Sequence, residues 1–117
     1  MKEELELLKE FHKKYNVPIL QVPTMIDKDR AKLRYNIIKE EVEEYIEGVN
    51  NNDLQNIARE LADILYSTYG TVIEHGLQDK MPQIFREIHK ANMTREYTES
   101  KIRKGPDYKE PNLSKFF

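Results

Sequence analysis

Leu5, Leu8, Phe11 and Tyr15 recur at three- and four-residue intervals, the repeat of one helix face, and this first helix ends before Pro18. Pro18 and Pro23 force an extended connector over 16–25, because each ring fixes φ and removes a backbone donor. Asp27 is placed to cap a long second helix by accepting its free backbone amides. That helix carries Ala31, Tyr35, Ile38, Val42, Tyr45 and Val49 in four-three alternation, the packing seam of a bundle helix. Gly48 and the run Asn50-Asn51-Asn52 end it, since Gly and Asn tolerate the left-handed conformation found there.

Asp53 caps a third helix whose seam reads Leu54, Ala58, Leu61, Leu65, Thr68 and Val72, stopping near His75-Gly76. A fourth helix runs from Asp79 to Ala91 with Met81, Ile84, Phe85 and Ile88 inward and Pro82 in its first turn. From Thr94 the chain turns basic, and its composition favours an ordered turn or extended arm. The pattern predicts an all-α, four-helix bundle with a basic C-terminal arm, one domain over 1–117. Two wide seams on helices of this length carry more apolar surface than one small bundle hides. This predicts a homodimer or a dimer of dimers.

Charge removes several classes of function. Charged residues make up 34% of the chain, yet net charge is only −2. A nucleic-acid binder needs a one-signed basic face, so no nucleic-acid partner is expected. With no cysteine, disulfides and thiolate metal sites are out. Met1–Glu10 is acidic and amphipathic, unlike a signal peptide, and no apolar stretch approaches the ~20 residues of a membrane span. The expectation is a soluble cytoplasmic protein with no membrane partner.

The informative feature is acidic. Glu41 and Glu44 stand three apart in Glu40-Glu41-Val42-Glu43-Glu44, and Glu60 and Asp63 repeat that spacing on the next helix. Enough chain lies between them to finish one helix, turn and return antiparallel. Helices packed ~8–10 Å apart bring such carboxylates together, where like charges demand a counter-charge. All-oxygen ligation suits Mg²⁺, with Mn²⁺ as a substitute. In so charged a chain a lone Glu-x-x-Glu pair is ordinarily a solvated face. Two such pairs beside apolar stripes on consecutive helices point instead to one divalent-metal site.

Other chemistries fit worse. No Glu precedes His12, His75 or His89 by three residues, as a carboxylate-bridged di-iron bundle requires. Zinc and P-loop signatures are absent too, which leaves the histidines as ordinary surface or core residues. Lys90, Asn92 and Arg95 at the end of the fourth helix, with Lys101, Arg103 and Lys104 beyond, either balance charge or hold phosphate oxygens. Phe11, Tyr15, Tyr35, Tyr66 and Tyr69 are assigned to the core in preference to stacking on a base.

Glu40-Glu41-x-x-Glu44 followed by Glu60-x-x-Asp63 resembles the EExxE…ExxD motif of the MazG-like, all-α nucleoside triphosphate pyrophosphohydrolases. The likeness continues through Phe11-His12, Pro23-Thr24, Leu61–Tyr66, Tyr69-Gly70, His89–Met93 and Lys104–Tyr108. It is greatest to the phosphoribosyl-ATP pyrophosphohydrolase-like branch, which includes dUTP-cleaving members. The resemblance implies cleavage of a nucleoside triphosphate between its α- and β-phosphates, giving a monophosphate and pyrophosphate. It further implies Glu41, Glu44, Glu60 and Asp63 as Mg²⁺ ligands, with Glu40 positioning or deprotonating the attacking water and Glu40 and Glu41 together as the catalytic residues. Lys90, Asn92, Arg95 and Lys104 would contact the substrate. Glu43 and Glu47 leave the register of the acidic helix ambiguous by one position. Two rivals stand beside this reading: a nucleotide-binding or helical interaction module without turnover, and the histidine-biosynthetic step on phosphoribosyl-ATP.

Overall fold

The computed structural model describes Met1–Phe117 and is all-α apart from one short hairpin. Helices α1 (Lys2–Lys14), α2 (Lys28–Asn50), α3 (Leu54–Glu74) and α4 (Met81–Asn92) precede strands β1 (Glu96–Thr98) and β2 (Lys101–Arg103). The chain divides into two compact units, Met1–Gln78 and Asp79–Phe117.

In the first unit both expected caps form. Asp27 accepts the Arg30 amide at 2.9 Å, and Asp53 accepts that of Asn56 at 3.1 Å. The Pro18–Pro23 connector runs beside the C-terminal end of α3, where the Leu20 amide donates to Ile73 and that of Thr24 to His75. Gly76 closes α3 at a φ of 68°, and a Cβ there would run into the Val22 carbonyl. Two histidines serve the same connector: Nδ1 of the buried His12 lies 2.9 Å from the Pro18 carbonyl, and that of His75 2.9 Å from that of Thr24.

Helices α2 and α3 pair antiparallel, with Arg30 opposite Glu74, Arg34 opposite Ser67 and Thr71, Glu41 opposite Glu60, and Gly48 opposite Asn56 and Ile57. This corrects the expected seams. The face of α2 turned to α3 runs through Arg34, Ile38, Glu41, Tyr45 and Gly48, while Tyr35, Val42 and Val49 are exposed. On α3 the inner face runs through Ile57, Glu60, Ile64, Ser67, Thr71 and Glu74, leaving Leu54, Leu61 and Leu65 exposed. Each helix has two apolar stripes, and the one mixed with charged residues went inside. Paired charges make this possible: Glu74, fully buried, takes Arg30 Nε at 2.5 Å and Arg34 Nη1 at 3.0 Å. Arg34 also donates to the Ser67 carbonyl at 2.8 Å and to Thr71 Oγ1 at 3.0 Å.

Helix α1 lies against α3 through the buried Leu5, Leu8 and His12. Gly70 makes room there, since a Cβ would come within 2.6 Å of the Arg34 guanidinium and 3.1 Å of His12 Nε2. Phe11, Tyr15 and Tyr66 are not core residues but form an exposed aromatic cluster.

In the second unit α4 begins with Pro82 in its first turn and buries Ile84 and Ala91, whereas Phe85 and Ile88 stay exposed against expectation. The basic tail is ordered. Strands β1 and β2 pair antiparallel with Tyr97 opposite Ile102, around Glu99 and Ser100, both at positive φ as a tight two-residue turn requires. Beyond them the chain is extended to a short 3₁₀ turn at Ser114–Phe116. The Lys109 amide donates to Thr94 Oγ1 at 2.9 Å, and Lys115 pairs with Glu87 at 2.8 Å.

Replacing Glu74 would leave Arg34 buried without its counter-charge. Glu74→Ala should therefore lower the unfolding free energy by about 3 kcal/mol in urea titration. A loss below about 1 kcal/mol would mean that the two arginines do not depend on this carboxylate.

Candidate active site

The antiparallel pairing sets Glu41 of α2 against Glu60 of α3, and Asp63 stands one turn beyond Glu60 on the same helix. One carboxylate oxygen from each of Glu41, Glu60 and Asp63 falls within a mutual distance of 4.8 Å. Gly48, buried two turns along α2 from Glu41, allows close approach of the helices at that end of the seam, because a Cβ there would meet Asn56 Nδ2 at 3.0 Å and Ile57 Cγ1 at 3.3 Å.

Burial, a hydrogen bond with Glu60 and the charges of Glu44, Asp63 and Glu60 push the Glu41 carboxyl up from the ordinary 4.5 to about 7. Oε2 of Glu41 and Oε2 of Glu60 are both buried and have no hydrogen-bond partner. Clustered carboxylates with buried, unpaired oxygens suit a hard divalent cation, so these residues fit Mg²⁺ or Mn²⁺. The exposed Arg59 reaches Asp63 at 3.7 Å from the solvent side.

Of the four expected ligands, three come together. Glu44 lies on the exposed surface of α2, near enough for its charge to raise Glu41 but outside the cluster of three. Glu40 is also exposed, one residue before Glu41 and so turned away from Glu60.

The expected substrate contacts lie in the second unit. Arg95 Nε donates to Asn92 Oδ1 at 3.0 Å, and its guanidinium sits 5.1 Å from the centre of the Tyr108 ring. Lys104 Nζ lies 5.0 Å from the same ring and 3.4 Å from Glu110. Tyr108 thus gathers Arg95 and Lys104 by cation–π attraction, and Asn92 joins them through its hydrogen bond from Arg95. Its role was missed from sequence, although an aromatic four residues after Lys104 in a basic segment is a readable signal. Lys90 stands apart, 3.4 Å from Glu87, lining a cavity of about 370 Å³ with Lys109 and Asn112. Arg34 and Glu74, which hold α2 to α3, also went unread.

The model of a family described as phosphoribosyl-ATP pyrophosphohydrolase matches residues 8–92. That span takes in the whole acidic cluster, Lys90 and Asn92, while Arg95 and Lys104 fall beyond it. The chain is also similar to uncharacterized protein L479 of Acanthamoeba polyphaga mimivirus, with 51% identity over 40 residues, 34% of this chain. That match covers 16% of the viral protein's length.

Because folding raises Glu41, the native chain holds its proton more tightly than the unfolded chain does. The stability from this group is full below the unfolded value and is lost as pH rises through about 7. A divalent cation competes with that proton and should reverse the loss. In differential scanning calorimetry, Mg²⁺ should therefore raise the Tm more at about pH 8 than at about pH 5. Glu41→Gln should abolish this difference. An equal Mg²⁺ effect at both pH values in the parent protein would rule out Glu41 as a ligand.

Proposed function

Since the chain belongs to the phosphoribosyl-ATP pyrophosphohydrolase family, within the MazG-like all-α superfamily, we propose that it is a Mg²⁺-dependent nucleoside triphosphate pyrophosphohydrolase. Family membership supports a pyrophosphohydrolase activity on nucleotide substrates. The proposed reaction breaks the bridge between the α- and β-phosphates, releasing a nucleoside monophosphate and pyrophosphate, with dUTP and other non-standard nucleotides as the substrate class. Such an activity removes unwanted triphosphates from the nucleotide pool. The observation that carries the reading is the convergence of Glu41, Glu60 and Asp63 with two buried, unpaired oxygens.

In this account Glu41, Glu60 and Asp63 are metal ligands, and Glu44, one turn from Glu41, completes the set. A divalent cation held by these carboxylates would supply positive charge against the phosphate oxygens and lower the pKa of water. Glu40, exposed on α2 and outside the cluster of three, is the proposed residue for positioning or deprotonating the attacking water, with Glu41 beside it. Asn92, Arg95 and Lys104, gathered around Tyr108, contact the phosphates or sugar, as does Lys90. Mn²⁺ would replace Mg²⁺ in an all-oxygen site.

We further propose a homodimer, or a dimer of dimers. Helical periodicity puts Tyr35, Val42 and Ile46 of α2 on the same side of the antiparallel α2–α3 pair as Leu54, Leu61 and Leu65 of α3. This continuous apolar face lies opposite α1, and Leu54, at 77% exposure, is its most open member. A face of this kind suits a second copy. Sedimentation should give a dimer or larger species, and Leu61→Lys should shift it toward monomer. A monomeric parent protein at micromolar concentration would end this proposal.

The reaction itself is tested by pyrophosphate release from common and modified nucleoside triphosphates and from phosphoribosyl-ATP, with Mg²⁺, Mn²⁺ or chelator. Release should need the metal, and Glu60→Gln should lower kcat by at least about 100-fold. Glu44→Gln should be inactive, whereas Glu43→Gln should keep full activity; the opposite pair would move the acidic register by one. No release from any substrate by folded, metal-loaded protein would leave a nucleotide-binding module in its place.

A further inference from the structure

The aromatic cluster on the first unit has the chemistry of a binding surface. Phe11 and Tyr66 meet edge to face, with ring centres 5.3 Å apart at 82°, and Tyr15 tilts against Phe11 at 4.9 Å. With Leu7, Glu10 and Lys14 these rings line an open cavity of about 320 Å³. Its walls are π-faces and aliphatic carbon, and its rim offers a carboxylate acceptor from Glu10 and an ammonium donor from Lys14. Solvent-exposed rings in such an arrangement do nothing for the core, where Leu5, Leu8 and Ile73 already fill the space between α1 and α3.

Location gives the cavity an occupant. Tyr66 follows Asp63 by three residues on α3, so the two side chains stand on adjacent turns about 5–6 Å apart at Cβ. The helical repeat turns Asp63 from the α2-facing side of α3 toward the side that meets α1. Asp63 is thus the member of the carboxylate cluster turned toward the rings. A nucleotide has this same layout, a planar aromatic ring joined through one sugar to an anionic phosphate.

Resting on the nucleotide reading above, we propose that the Phe11–Tyr15–Tyr66 cavity seats the nucleobase of the substrate whose phosphates meet the carboxylate cluster. The base stacks on the exposed rings, and Glu10 and Lys14 face its polar edge. Stacking tolerates any base, because every base has a π-face, so selectivity would arise at that edge.

Phe11→Leu and Tyr66→Leu keep apolar volume and remove a ring. Each should raise KM for nucleoside triphosphates about tenfold with little change in kcat. Hydrolysis of ribose 5-triphosphate, which has no base, should be unaffected. An unchanged KM for nucleoside triphosphates, or an equal loss with the base-free compound, would overturn the assignment. So would variants that change the sedimentation coefficient rather than KM, since the cavity would then be a contact between copies of the chain. A second readout is independent of turnover: addition of a nucleoside monophosphate with Mg²⁺ should shift the ring resonances of Phe11, Tyr15 and Tyr66 in NMR spectra. Shifts confined to other aromatic residues would place the base elsewhere, even where hydrolysis proceeds.

Discussion

Carboxylates of Glu41, Glu60 and Asp63 crowd within 4.8 Å on two facing helices, so the α2–α3 pairing contains a repulsion at its centre. The chain holds this closed from both ends of the seam. At one end Glu74 is gripped by Arg30 and Arg34, at the other Gly48 allows α2 and α3 to approach beside Asn56 and Ile57. Gly70 leaves space for the Arg34 guanidinium, and His12 borders the same spot from α1. The arrangement has a definite electrostatic cost, expressed in a Glu41 carboxyl that keeps its proton to about pH 7. A cation is the group that would relieve it.

Much of this was legible from residue order. The caps Asp27 and Asp53, the stop at Gly76 and the proline-bounded connector all follow from local backbone chemistry, and all formed where read. The acidic spacing was equally informative, since three-residue intervals on consecutive helices constrain which carboxylates can meet. Which stripe would face inward was not legible. Hydrophobicity favoured Val42, Val49, Leu61 and Leu65 for the seam, and the structure buried Arg34, Glu60 and Glu74 instead. A buried charge depends on a partner distant in sequence, as Glu74 does on Arg30, and no local pattern reports that pairing. The same gap hid Tyr108, whose meaning comes from Arg95 and Lys104 lying near its ring.

That reversal bears on function. A wholly apolar α2–α3 interface would bury more hydrocarbon and hold no metal. Polar residues inside and leucines outside give a site at the seam and an apolar face beyond it. In the proposed function one helix pair would serve catalysis on one surface and association on another. The core is small, concentrated at Leu5, Leu8, Val72 and Ile73, and many large apolar residues are exposed, as the proposed association would require.

The central claim is that the acidic cluster holds the catalytic cation, and its most direct test is where a paramagnetic ion settles. Mn²⁺ added in small amounts to isotope-labelled protein broadens amide NMR signals steeply with distance. Broadening should begin at residues 41, 60 and 63 and spread to their neighbours on α2 and α3 before any other region. Loss of signal starting in the C-terminal tail or around unrelated acidic residues, or uniform broadening along the chain, would contradict the account.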